Sequence, residues 1–177
     1  MKKIIILLSL FVVNVACADM FKSTLFSLNT IYLDRDYDNN GIKSKDKQTD
    51  TDLRLMRIEK YWAYGVIYSL SSNDSSLASR TSMGLSAGYY SEKDFYLNFH
   101  YFPTSKYSFG GTEYSKGSGY EFDVGFLSKI TSSFYVGILV ALKNFSYSEQ
   151  NSGGVISSIS SKHREVIPMF SFAINLM

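Results

Sequence analysis

The chain has 177 residues, of which 45% are hydrophobic and 16% aromatic, and its 18 Lys and Arg face 16 Asp and Glu. That length suits a single domain, and so even a charge balance argues against a nucleic-acid-binding face. One cysteine, Cys17, rules out a disulfide framework.

The first segment reads as a secretory leader. Met1-Lys2-Lys3 is a basic start, Ile4 to Val13 is apolar except for Ser9, and Ala16-Cys17-Ala18 is a small-residue cleavage site. The expected division is a signal peptide at 1–18 and a single domain at 19–177. A lipoprotein leader usually carries Leu three positions before the acylated Cys, where this chain has Asn14. Cleavage before Asp19 removes Lys2 and Lys3, which balances the remaining basic and acidic residues, and it removes Cys17. Beyond the leader no run of ~20 apolar residues is long enough to span a bilayer as a helix.

From there the chain reads as eight strands, because apolar side chains recur with period two. The first covers 21–33, with Phe26, Leu28 and Tyr32 opposed to Ser27 and Asn29. The second (52–60) is crowded by Arg54, Arg57, Glu59 and Lys60, and the third covers 62–70. In the fourth (81–90), Met83, Leu85, Ala87 and Tyr89 oppose Ser82, Gly84, Ser86 and Gly88. In the fifth (95–102), Phe95, Leu97, Phe99 and Tyr101 oppose Tyr96, Asn98, His100 and Phe102. The sixth is the clearest: Tyr120, Phe122, Val124 and Phe126 alternate with Glu121, Asp123 and Gly125. The seventh (134–145) sets Phe134, Val136, Ile138, Val140 and Leu142 against Tyr135, Gly137, Leu139, Ala141 and Lys143. The eighth carries Val166, Pro168, Phe170, Phe172, Ile174 and Leu176 on one face.

The links between these strands alternate in length. Long polar stretches are expected to be loops at 34–51, 71–80, 103–119 and 146–162, and short turns fall near 60–61, at 91–94 and at 128–133. Short turns on one side and long connections on the other are the asymmetry of outer-membrane barrels, and ~10 tilted residues per strand cover a ~25 Å apolar band. Aromatics collect beside the short turns: Tyr61, Trp62 and Tyr64; Tyr89 and Tyr90; Phe95 and Tyr96; Phe134 and Tyr135. Such rings favour a membrane–water interface.

Binary pattern alone does not say which face is wet. The polar faces are rich in Gly, Ser and Ala, which suits the crowded interior of an eight-stranded barrel better than a solvated sheet. With its leader, strand count and apolar last strand, the chain resembles small OmpA- and OmpX-type outer-membrane barrels over nearly its whole mature length. Members of that group typically end in an aromatic residue in phase with the lipid-facing side, whereas this chain ends Leu176-Met177, with Met177 on the face of Ser171, Ala173 and Asn175. The resemblance implies an all-β, eight-stranded antiparallel up-and-down transmembrane β-barrel in the outer membrane.

On that reading Met83, Leu85, Leu97, Phe99, Phe122, Val124, Val136, Ile138, Phe170 and Phe172 face lipid. Arg57, Glu59, His100, Glu121, Asp123 and Lys143 point into the lumen, where buried charges must pair. The expected role of this set is a salt-bridged plug, with a narrow polar path or a proton-sensitive gate at His100 as the alternative. The expected partners are outer-membrane lipid, the barrel-insertion machinery and an extracellular ligand at the loops, with no nucleic acid, cofactor or metal and a monomeric state.

Two other functions remain open at this stage. A lipid A-modifying barrel enzyme would draw on Ser161, His163 and Glu165, which share one strand face as nucleophile, base and orienting carboxylate. Residues two apart on a strand sit ~6.5–7 Å apart, so the expectation is that the three do not reach one another. A secreted soluble barrel holding a hydrophobic ligand would bury the aromatic rows instead of exposing them. Asp34, Asp36, Asp38, Asn39, Asn40 and Gly41 resemble the start of a calcium loop, but Lys43, Lys45 and Lys47 follow where ligands are needed. Gly110-Gly111 and Gly153-Gly154 lack a phosphate-loop context and mark turns.

Overall fold

A computed structural model describes residues 22–39, 42–91 and 94–176. The leader, its cleavage site and Met177 lie outside the described residues, as do the side chains of the acidic run beyond Asp34. Eight strands follow in chain order: β1 (Lys22–Asn39), β2 (Ile42–Glu59), β3 (Trp62–Asn73), β4 (Ala78–Tyr90), β5 (Phe95–Phe109), β6 (Thr112–Lys129), β7 (Phe134–Ser152) and β8 (Val155–Leu176). Each pairs antiparallel with its neighbours, and β1 pairs β8 to close the barrel. The fold is an all-β, up-and-down, eight-stranded barrel.

The four stretches expected to be long loops are mostly strand. β5 and β6 stay paired out to Phe109↔Thr112, and β7 and β8 out to Ser152↔Val155. Each hairpin then closes on two glycines with positive φ, +56° and +83° at Gly110-Gly111 and +58° and +86° at Gly153-Gly154. Successive positive φ values are the two-residue turn that matches strand twist, and glycine meets that demand without steric cost. β1 and β2 likewise pair as far as Asn39↔Ile42. These extensions have no period-two apolar signal because the tyrosines that pack inside them, Tyr107, Tyr114 and Tyr147, are widely spaced among polar residues. The β5–β6 register shifts between Phe102 and Ser105, around Pro103, which has no N–H to give the ladder.

Burial is inverted relative to a water-soluble sheet. Along β6, Glu121 and Asp123 are 0% exposed, whereas Tyr120 and Phe126 on the other face are 50% and 53% exposed. Leu85, Phe99, Ile138 and Phe170 also stand on the outside. The interior is packed in layers. Towards the short turns lie Leu25, Tyr96, Leu127, Leu139, Met169 and Ala173, with Tyr90 stacked on Tyr96. Towards the long hairpins lie Phe102, Phe145 and Tyr147, with Phe102 against Phe145 at 5.2 Å between ring centres. Charged groups fill the space between these layers.

Candidate functional site

The middle of the lumen is one connected polar network to which every strand contributes. Lys143 on β7 donates to both oxygens of Asp52 on β2, at 2.9 and 3.1 Å, and to Ser69 Oγ on β3 at 3.2 Å. Its Nζ also lies 3.4 Å from Glu121 Oε2 on β6. Arg54 on β2 pairs tightly with Asp123, donates to Glu121 Oε1 at 3.2 Å, and lies 3.6 Å from Asp52. His100 on β5 joins Asp123 Oδ2 through Nε2 at 3.0 Å and Ser86 Oγ on β4 through Nδ1 at 2.6 Å. Asn29 on β1 turns its side-chain oxygen to Arg54 Nε at 3.0 Å and its amide nitrogen to Ser171 on β8. Asp52, Glu121, Asp123 and His100 are all fully buried, and Arg54 and Lys143 nearly so.

The arrangement follows from strand parity. Leu53 and Leu55 face outward, so Asp52 and Arg54 between them must face inward, beside Asp50 and Met56. The same parity corrects the expectation for Arg57 and Glu59. In register Arg57 lies opposite Tyr64 and Glu59 opposite Trp62, and both aromatics are exposed on the outer wall. Tyr64 donates to Glu59 Oε1 at 3.1 Å, so this pair belongs to the outer rim near the short turns, not to the lumen. The structure places His100, Glu121, Asp123 and Lys143 inside, and Asp52, Arg54 and Asn29 join them there although none belongs to the expected lumen set. The ten residues assigned to lipid all lie on outward-facing positions of β4 to β8.

A second charged layer sits nearer the hairpins. Arg80 on β4 grips Glu165 on β8 through both guanidinium nitrogens, at 2.8 and 2.6 Å, and its charge lies 4.3 Å above the Phe145 ring. Ser161 and His163 do meet, with 3.1 Å between Ser161 Oγ and His163 Nε2. The backbone spacing that argued against contact is bridged because both side chains lean along the strand. Glu165 does not complete a triad, because Arg80 occupies both of its oxygens. The His163 ring packs 4.5 Å from Tyr107.

His100, Glu121 and Asp123 bring three ligand-type atoms within 4.8 Å of one another. Arg54 already bonds both carboxylates, so the guanidinium is the cation of this cluster. At the short-turn rim, Tyr89 contacts Tyr61 at 5.9 Å and Trp62 at 5.7 Å between ring centres, and Phe95 contacts Phe126 at 5.6 Å. These outward rings form the girdle expected at a membrane–water boundary.

A closed barrel with charges sealed inside, apolar rows outside and an aromatic rim at the short turns defines the class: a transmembrane β-barrel of the outer-membrane type. No protein-family model and no curated protein matches the chain. Among solved structures it is similar to the outer membrane protein OprG from Pseudomonas aeruginosa, at 12% identity and a TM-score of 0.44, covering 88% of this chain and 95% of that one. It is also similar to OmpT of Vibrio cholerae, an outer membrane protein in trimer form, at 12% identity and a TM-score of 0.36, covering 89% of this chain and 52% of that one. The class assignment rests on the chain's own inverted burial and not on either likeness.

Proposed function

We propose that this protein is a non-enzymatic, monomeric outer-membrane barrel with a closed lumen. It serves as a rigid envelope element that holds contact surfaces outside the cell. The observation that carries this reading is the network from Asn29 to Ser171, which ties all eight strands across the lumen and leaves its charges paired. Eight strands enclose a space that side chains fill. Here an apolar layer lies on each side of the central network, Leu139 and Met169 towards the short turns and Phe102 and Phe145 towards the hairpins, so ions have no continuous wet path.

The outer ends of the hairpins support the contact role. Phe109, Val155 and Ile156 are exposed beyond the apolar belt, at the tips of two neighbouring hairpins joined by the Thr112↔Ser152 pair. Apolar side chains held on paired strands form a stiff surface suited to a partner molecule. Catalysis is disfavoured because the Ser161–His163 pair lacks a free carboxylate to orient the histidine.

Planar-bilayer recording of the folded protein tests the closed lumen. The expected record shows no discrete conductance steps. Well-resolved, reproducible steps from the purified barrel would replace the plug reading with the narrow-pore one.

A further inference from the structure

The barrel wall is not equally sealed around its circumference. The β1–β8 ladder runs only from Thr24↔Leu176 to Thr30↔Phe170. Above that row β1 continues against β2 to Asn39, and β8 continues against β7 back to Val155, but neither pairs with the other. Pro168 lies two residues past the last pair and has no N–H to give to a ladder. The inner side of this gap is apolar, because Ile31, Ile167 and Met169 pack in the lumen there. Its outer side carries Tyr32 and Val166, 59% and 69% exposed.

Positive charge begins directly above this greasy seam. Across β6, β7 and β8 one outward row is Phe122, Leu142 and Val166, all exposed apolar residues. The next row out is Tyr120, Asn144 and Arg164, and Lys162 stands one further row up, opposite Ser146. Arg164 and Lys162 are exposed, and no ion pair among the described residues engages either. Asn144 donates to Tyr120 Oη at 3.0 Å, which leaves the phenol proton free to donate outward. Of the nearby acids, Glu165 points inward to Arg80, and Asp34 stands exposed across the gap, with Lys47 opposite it in register on β2.

We propose that the outer face of β8 beside the open seam binds a phosphate-bearing acyl lipid of the outer leaflet. Arg164 and Lys162 hold the phosphate, Tyr120 and Asn144 flank it, and an acyl chain lies along Val166 over the gap. Strand rows are ~6.5–7 Å apart along the chain, so the cations sit at headgroup depth when acyl chains cover Phe122 and Leu142. The inference uses the membrane orientation given above, with the long hairpins outside, but not the closed lumen.

The test uses the full chain folded in phosphatidylcholine nanodiscs and titrated with diphosphorylated lipid A or with the same lipid after phosphatase treatment. The expected preference for the phosphorylated form is roughly thirty-fold, from two basic groups near an anionic headgroup. Arg164→Gln with Lys162→Gln should erase it, and Lys129→Gln, beside a short turn at the other end of the barrel, should leave it intact. Equal binding of the two lipids, or a double variant that keeps the preference, overturns the proposal. Competition by inorganic phosphate alone would also overturn it, since the site would then read a free anion. Conductance steps in a barrel that still prefers the phosphorylated lipid would sink the closed-lumen reading and leave this one standing.

Discussion

Arg54→Ala is expected to destabilise the folded barrel by about 3–5 kcal/mol, because it strips the cation from a buried cluster while leaving its carboxylates in place. Arg54 touches Asp123, Glu121, Asp52 and Asn29. Without it, the negative charges of Asp52, Glu121 and Asp123 fall to Lys143 alone, which already bonds Asp52. Urea titration in micelles, followed by the gel shift between folded and unfolded barrel, reads the loss. Adding Asp123→Asn to the Arg54→Ala background should recover part of it, because one stranded charge disappears. A loss below about 1 kcal/mol for the single variant would mean that the network does not brace the lumen.

Val124→Arg is expected to cost about 2–4 kcal/mol, the penalty for a cation on the lipid face at the bilayer midplane. Val124 lies between Leu97 on β5 and Val140 on β7, with Phe122 and Phe126 along its own strand. A guanidinium there has apolar neighbours on every side and a long reach to either headgroup layer. The same titration in lipid vesicles measures it. A variant as stable as the parent would move strand six out of the bilayer's centre and with it the assumed depth of the belt.

Much of this architecture could be read from particular residues. Tyr120 to Phe126 show the parity of β6 directly, since ionic groups cannot stand on the lipid-facing side of a membrane-spanning wall. The short turns were legible because the apolar period breaks there. The hairpin extensions were not: in 112–119 and 146–162 apolar residues such as Tyr114, Tyr147 and Ile156 are too scattered among polar ones to show a binary pattern. Gly110-Gly111 and Gly153-Gly154 were the available sign that these stretches are tight hairpins.

The charged lumen was half visible. His100, Glu121, Asp123 and Lys143 alternate with unmistakable apolar neighbours, so their side of the wall followed. On β2 charges lie on both faces, and only the parity shared with Leu53 and Leu55 puts Arg57 and Glu59 on the outer side. Following those two leucines would have exchanged them for Asp52 and Arg54. The Arg80–Glu165 pair and the short β1–β8 ladder depend on which strands meet across the barrel, which no local pattern reports.

The central claim is that the aromatic and aliphatic rows touch acyl chains while the ionic groups are enclosed. The chain has one tryptophan, so Trp62→Phe supplies a silent background for a single reporter. Phe170→Trp in that background, reconstituted in lipids brominated midway along their acyl chains, should lose most of its fluorescence and resist acrylamide in water. Strong quenching by acrylamide with none from the brominated chains would place that face in solvent and contradict the account.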